Sequence, residues 1–187
     1  MAVAQKVVFA SMGAGPSATM RLGAGAVDLD ALEPLWNALQ AHHSSIHPKL
    51  GSRTPARPLT DSWQRRRAKY EAWLSSEDSF FFIAEEEGRV VGYAFVTVGS
   101  PYAGWATGRL ANLETLSVMP DRRRSGIGSE LLTATWQRLV ERGVTEMSIT
   151  AVLSNVDSHR FYERHGFEQS FVVYYGKRPA SSTEADS

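Results

Sequence analysis

Apolar residues recur at helical spacing in the first third of the chain. Leu32, Leu35, Trp36 and Leu39 predict a first helix ending near residue 41, with Asp28 or Asp30 as its cap. A weak strand over residues 19–22 precedes it. Pro48, Pro55 and Pro58 mark residues 42–59 as a loop. Tyr70, Trp73 and Leu74 form the buried stripe of a second helix, capped by Thr60 or Asp61. Arg65-Arg66-Arg67 lies across its first turns as a solvated face. The period then changes. Phe80-Phe81-Phe82-Ile83-Ala84 is a run of strand formers, ended by Glu85-Glu86-Glu87-Gly88. Residues 89–98 read as the return strand of a hairpin, with Glu87-Gly88 or Gly88-Arg89 in the turn. A further strand covers residues 110–119 and stops at Pro120. Leu131, Leu132, Trp136, Leu139 and Val140 share one face of a helix from Gly128 to about Arg142, which Gly143 ends. A strand over 145–152, a helix over 155–165 closed by Gly166, and a last strand over 168–175 complete the pattern. Strands alternating with helices predict one α/β (α+β) sheet flanked by helices.

Composition narrows the function. The 187 residues carry 20 Lys and Arg against 20 Asp and Glu, so the formal net charge is zero, and 43% are hydrophobic. That suits one ordinary soluble domain. A neutral chain argues against a general nucleic-acid binder, which needs excess cations for phosphate. No apolar run approaches the roughly 20 residues of a membrane span. Cysteine is absent, which excludes disulfides, zinc–thiolate sites, iron–sulfur clusters and a cysteine nucleophile. Residues 1–18 are rich in Ala, Gly and Ser. Their apolar stretch Val7-Val8-Phe9-Ala10 is shorter than the roughly 7–15 residues of a secretory signal. We expect residues 1–18 to be a flexible leader, 19–178 a single domain and 179–187 a disordered tail, with the protein in the cytoplasm.

The stretch from Leu116 to Ser129 carries the chemistry. A strand ends at Pro120, a turn bearing Arg122, Arg123 and Arg124 follows, and an amphipathic helix starts at Gly126-Ile127-Gly128. The first turn of a helix has unpaired N–H groups and a partial positive charge, which bind phosphate. Gly126 and Gly128 let the backbone approach an anion or adopt positive φ. Arg123 and Arg124 add charge-assisted hydrogen bonds. The stretch lacks the Gly-Lys-Ser/Thr ending of a Walker loop and the third glycine of the dinucleotide fingerprint.

Arg123-Arg124-Ser125-Gly126-Ile127-Gly128 resembles the Arg/Gln-x-x-Gly-x-Gly/Ala signature of the GNAT superfamily of acyl-CoA-dependent N-acetyltransferases. The strand end from Leu116 to Pro120 fits the same family, and so does the Asn155…Phe161-Tyr162…Gly166-Phe167 segment downstream. The resemblance implies a GNAT fold, a mixed and mostly antiparallel twisted sheet flanked by helices. It implies acetyl-CoA as co-substrate, no metal, and acetyl transfer to the primary amine of a small molecule or peptide by direct attack in a ternary complex. In the family the strand before the signature bulges and splays from its neighbour, and the pantetheine arm pairs with backbone there. In this chain those residues are Leu116, Ser117 and Val118. Arg124, Ser125, Gly126, Ile127, Gly128 and Ser129 would hold the pyrophosphate, with Arg123 in the consensus basic position. Asn155 would contact the cofactor near its sulfur, and Tyr162 takes the position of the general acid. Dimers are common in the family, so a homodimer is compatible with it.

Acyl transfer from a thioester to an amine needs a neutral amine, a stabilised oxyanion and a leaving thiolate. A thiol has a reference pKa of about 8.5 and a phenol about 10, so a tyrosine near the sulfur can donate a proton as the bond breaks. The Val118 amide can polarise the carbonyl. Tyr162 also reads as a core aromatic. Glu114, in the mostly apolar strand Leu113-Glu114-Thr115-Leu116-Ser117-Val118, is the candidate base. Alternation puts it on the face of Leu116 and Val118, where partial burial would raise its pKa. The competing reading is an edge carboxylate paired with Arg109 or exposed to solvent.

Two functions from different classes stay open: the acetyltransferase, which Glu114 and Tyr162 favour, and an acyl-CoA sensor without turnover. A nucleotide-phosphate binder is a third. His42, His43 and His47 lack the spacing of a ligand set and read as surface or acceptor-lining groups. Tyr102 and Trp105 read as a substrate wall or subunit contact.

Overall fold

The computed structural model describes residues 6–7, 18–46, 58–100 and 108–174. His47, Tyr102, Trp105, most of the expected leader and the expected tail lie outside the described residues. Among the described residues six strands form one sheet in sequential order: β1 (Lys6–Val7), β2 (Thr19–Leu22), β3 (Ser79–Glu86), β4 (Arg89–Gly99), β5 (Leu110–Val118) and β6 (Glu146–Ser148). Every pair is antiparallel except β5 with β6. Within the expected leader, Lys6 and Val7 pair with Arg21 and Met20. Glu87-Gly88 is the two-residue hairpin turn, since Glu86 still faces Arg89 across the ladder.

The helices are α1 (Glu33–Ile46), α2 (Leu59–Leu74), α3 (Ile127–Glu141) and α4 (Val156–Arg164). Among the described residues no helix is long and apolar enough to cross a membrane. Neither Asp28 nor Asp30 caps α1. A 3-10 helix (Gly25–Leu32) runs directly into it, and Asp28 instead accepts the Ala24 amide and pairs with Arg21. Helix α2 starts just after Pro58 without a side-chain cap.

Each face of the sheet has its own core. On one, Leu131, Leu132 and Leu139 of α3 pack on Phe80, Phe82, Ala94 and Val96. On the other, Leu29, Leu32, Leu35, Trp63 and Tyr70 pack on Phe81, Ile83, Tyr93 and Phe95. The Tyr70 ring stacks on Phe95 with centroids 4.0 Å apart. Each large side chain buried in this way contributes roughly 1.5–3 kcal/mol.

Strand β6 is shorter than the pattern predicts. It pairs only through Glu146, Met147 and Ser148, opposite Leu110, Ala111 and Asn112. The expected last strand is absent from residues 168–174, where Phe171 to Tyr174 are exposed. Strand propensity is insufficient without an edge to pair with, and β6 presents only three residues of it.

Candidate active site

The register of β5 changes at one residue. Val96 pairs with Leu113 and Phe95 with Thr115, so Glu114 is the extra residue of a β-bulge. The bulge corrects the face predicted for Glu114. Leu113 lies on the α3 side before it, and Leu116 and Val118 lie on that side after it. Thr115 and Ser117 point to the opposite side. There the Tyr70 hydroxyl lies 2.7 Å from Thr115 Oγ1, and Ser117 Oγ donates to the Leu35 carbonyl at 3.2 Å. Glu114 joins this second set and is half-buried, with Thr97 Oγ1 donating to its Oε1 at 2.9 Å. Arg109 pairs with Asp78 and not with Glu114.

Beyond Asn112, β5 and β6 part, and residues 114–118 have no strand partner on that edge among the described residues. Met119 donates its amide to the Val91 carbonyl at 2.9 Å. Strand alternation therefore turns the backbone of Ser117 toward β4 and that of Leu116 and Val118 toward the open edge. At the end of this edge Arg123 Nε reaches the Val118 carbonyl at 3.4 Å.

A 3-10 turn (Pro120–Arg122) then redirects the chain. Arg124 and Gly126 both take left-handed backbone, with φ of 65° and 94°. For Arg124 this is an uncommon conformation that the surrounding turn must hold. Ser125 Oγ donates to the Arg122 carbonyl at 2.6 Å. The amides of Ser129 and Glu130 both donate to Gly126, at 2.9 and 3.0 Å. The amides of Ile127 and Gly128 have no acceptor among the described residues. Arg122 is engaged by Glu86 at 2.6 Å. Arg123 and Arg124 are exposed and have no carboxylate partner among the described residues. Two guanidinium groups without a carboxylate among the described residues, beside helix-start amides without an acceptor there, are a fit for a diphosphate.

Helix α4 closes over this turn. A Cβ at Gly128 would meet the Phe161 ring at 3.4 Å and Val118 Cγ2 at 3.9 Å, ordinary contact distances, so Phe161 packs directly over the start of α3. Asn155 caps α4, its Oδ1 accepting the Ser158 amide at 3.2 Å. Tyr162 packs against the same core as Leu116 and Val118. Its hydroxyl has no hydrogen-bond partner among the described residues, and burial pushes its phenol above the ordinary tyrosine value. Burial also pushes the His43 imidazole below its usual value, helped by the charges of His42 and Arg123.

The structure thus brings Leu116, Val118, Gly128 and Tyr162 to one core and sets the free amides beside Arg123 and Arg124. It turns Ser117 and Glu114 to the opposite face of the sheet. Three residues of this region escaped the sequence reading. Thr97 and Arg66 meet β5 only through tertiary contacts. His165, inside the Asn155–Phe167 segment, was legible only as a neighbour of Gly166.

Comparison with known proteins agrees with this geometry. The profile of the Acetyltransferase (GNAT) family matches residues 36–167. A mycothiol acetyltransferase from Thermobispora bispora is 31% identical over 135 residues, which is 72% of this chain. The chain spans only 42% of that relative's length. An aminoglycoside N-acetyltransferase, AAC(6')-Iy, in complex with CoA superposes with a TM-score of 0.62 at 22% identity, covering 86% of this chain and 96% of that one. A mutant of the BH1408 protein from Bacillus halodurans reaches a TM-score of 0.70 at 15% identity, covering 85% and 98%. With a family profile spanning most of the chain and the splayed strand, bulge and glycine turn in place, the chain belongs to the GNAT family of acetyltransferases.

Proposed function

We propose that the protein is an acyl-CoA-dependent N-acetyltransferase that moves an acetyl group from acetyl-CoA to a primary amine by direct attack in a ternary complex. One observation carries the reading. The unpaired edge of β5 leads straight into the free amides of Ile127 and Gly128, flanked by Arg123 and Arg124. A pantetheine arm pairs with extended backbone, and a diphosphate needs such a turn. The backbone groups of Leu116 and Val118 face the arm. Ser117 supports them from the other face through Leu35. Arg124, Ser125, Gly126 and Ser129 shape the turn that holds the diphosphate. Asn155, its Oδ1 engaged in the α4 cap, would offer its amide nitrogen to the acyl end.

In the reaction the amine nitrogen attacks the thioester carbonyl carbon. A C–N bond forms, the C–S bond breaks, the amine loses a proton and the departing sulfur gains one. The Val118 amide stabilises the oxyanion. Tyr162 supplies the sulfur's proton, and its raised phenol stays protonated at neutral pH, as a donor must. Glu114 takes the amine's proton, directly or through water. The cytoplasm supplies the co-substrate.

The names of two relatives, a mycothiol acetyltransferase and an aminoglycoside N-acetyltransferase, support small-molecule amines as the first acceptors to test, with peptide amines after them. The test is thiol release from acetyl-CoA across a panel of such amines. Release with at least one amine is the expected result. Calorimetric binding of CoA with no release from any amine would return the protein to the sensor class, and no binding at all would overturn both.

A further inference from the structure

Arg66 stands apart from its two arginine neighbours on α2. Arg65 pairs with Asp61 at 3.5 Å, and Arg67 with Asp30 at 2.7 Å and with Glu71. Arg66 has no carboxylate partner among the described residues. Its guanidinium lies over three rings: Trp36 of α1 at 4.5 Å, Tyr70 at 5.1 Å and Trp73 at 5.7 Å. Its Nε is buried with no acceptor among the described residues. Holding a half-buried cation this way is unfavourable unless its remaining donors are well used. Among the described residues they are used at one place. Nη2 donates to the Glu114 carbonyl and to Thr115 Oγ1, each at 3.2 Å.

Those two acceptors are the bulge. The extra residue of a bulge is left out of the ladder, so its carbonyl needs a donor from elsewhere. Thr115 Oγ1 donates to that carbonyl at 2.7 Å, and Arg66 is its donor from outside the strand. Thr115 Oγ1 is also 2.7 Å from the Tyr70 hydroxyl, which lies 3.1 Å from that of Tyr93. The guanidinium and this buried hydroxyl chain fix the main chain on the C-terminal side of the Glu114 Cα. The carboxylate is held separately, by Thr97.

We infer that Arg66 is a positioning residue for Glu114: its aromatic-caged guanidinium clamps the β5 bulge and so sets the direction of the carboxylate. The inference rests on the reading of Glu114 as base, and its test separates the two. Arg66→Met keeps the length of the side chain and removes the donor. In this variant, amide hydrogen exchange of residues 110–118 rises about tenfold while β3 stays protected. With an amine that the wild type acetylates, kcat falls about 10–100-fold and the KM for acetyl-CoA stays within about twofold. In a Glu114→Gln background the same substitution loses most of its effect on kcat. Unchanged exchange over 110–118, or an equal kcat loss in both backgrounds, would overturn the inference. If no amine releases thiol with the wild type, the acetyl-transfer reading falls on its own, and the exchange measurement still decides whether Arg66 is the clamp.

Discussion

Ser129, in the first turn of α3, has its hydroxyl 3.1 Å from Nε2 of His165 at the end of α4. The other ring nitrogen, Nδ1, lies 2.7 Å from the Phe161 carbonyl. A carbonyl only accepts, so Nδ1 carries the proton of the neutral ring, and Nε2 accepts from Ser129. One imidazole therefore fastens the helix that bears Tyr162 to the helix start that faces the diphosphate.

Removing that fastening separates cofactor binding from folding. His165→Ala loses two hydrogen bonds, and we expect CoA affinity to fall about 3–10-fold with roughly 1–2 kcal/mol lost in stability. Calorimetric titration beside urea unfolding measures both. Wild-type CoA affinity in the variant would detach His165 from the cofactor site.

Tyr162→Phe removes only the hydroxyl, and no described residue loses a hydrogen bond. We expect kcat to fall about 10²-fold with stability unchanged. Burial holds the wild-type phenol above its ordinary value, so it stays protonated as pH rises through the usual tyrosine range near 10. Loss of the wild-type rate below that range would belong to another group. A variant with full turnover across the pH profile would remove the acid role from Tyr162.

Glu114→Gln retains the size of the side chain and an acceptor for Thr97. With the carboxylate as base, the acidic limb of the kcat/KM profile disappears and the neutral rate falls about 10²-fold. A profile that keeps its limb in the variant assigns proton removal to solvent or another side chain.

Acid stability depends on a different pair. Arg21 donates to both carboxylate oxygens of Asp28, at 2.6 and 3.0 Å, and also pairs with Glu85. The Arg21 hydrogen bonds hold the Asp28 carboxyl below its ordinary value, against the opposing effect of burial and with help from the Ala24 amide. A depressed folded pKa contributes stability above the unfolded value of about 3.9, and that contribution is lost as pH falls through the folded value. Asp28→Asn is expected to cost about 1–3 kcal/mol at pH 7, a difference from wild type that closes as pH falls through the folded value. Urea unfolding at several pH values measures this. An equal gap at both ends would place the effect of Asp28 in packing.

What could be read from the chain alone followed local rules. The stripe of Tyr70, Trp73 and Leu74, the Glu87-Gly88 turn, and the strand–turn–helix from Leu116 to Ser129 each depend on neighbours within a few residues. So did the two family segments. The tertiary structure decided what depends on register and distant partners. Alternation alone put Glu114 beside Leu116 and Val118. The ladder with β4 inserted a bulge there and turned it to the face of Thr115. Arg66, written in a run of three arginines, became a donor to that bulge because its side chain reaches from α2 to β5. The apolar run from Phe171 to Tyr174 stayed out of the sheet because a strand needs an edge, and no local pattern specifies how much edge its neighbour will present.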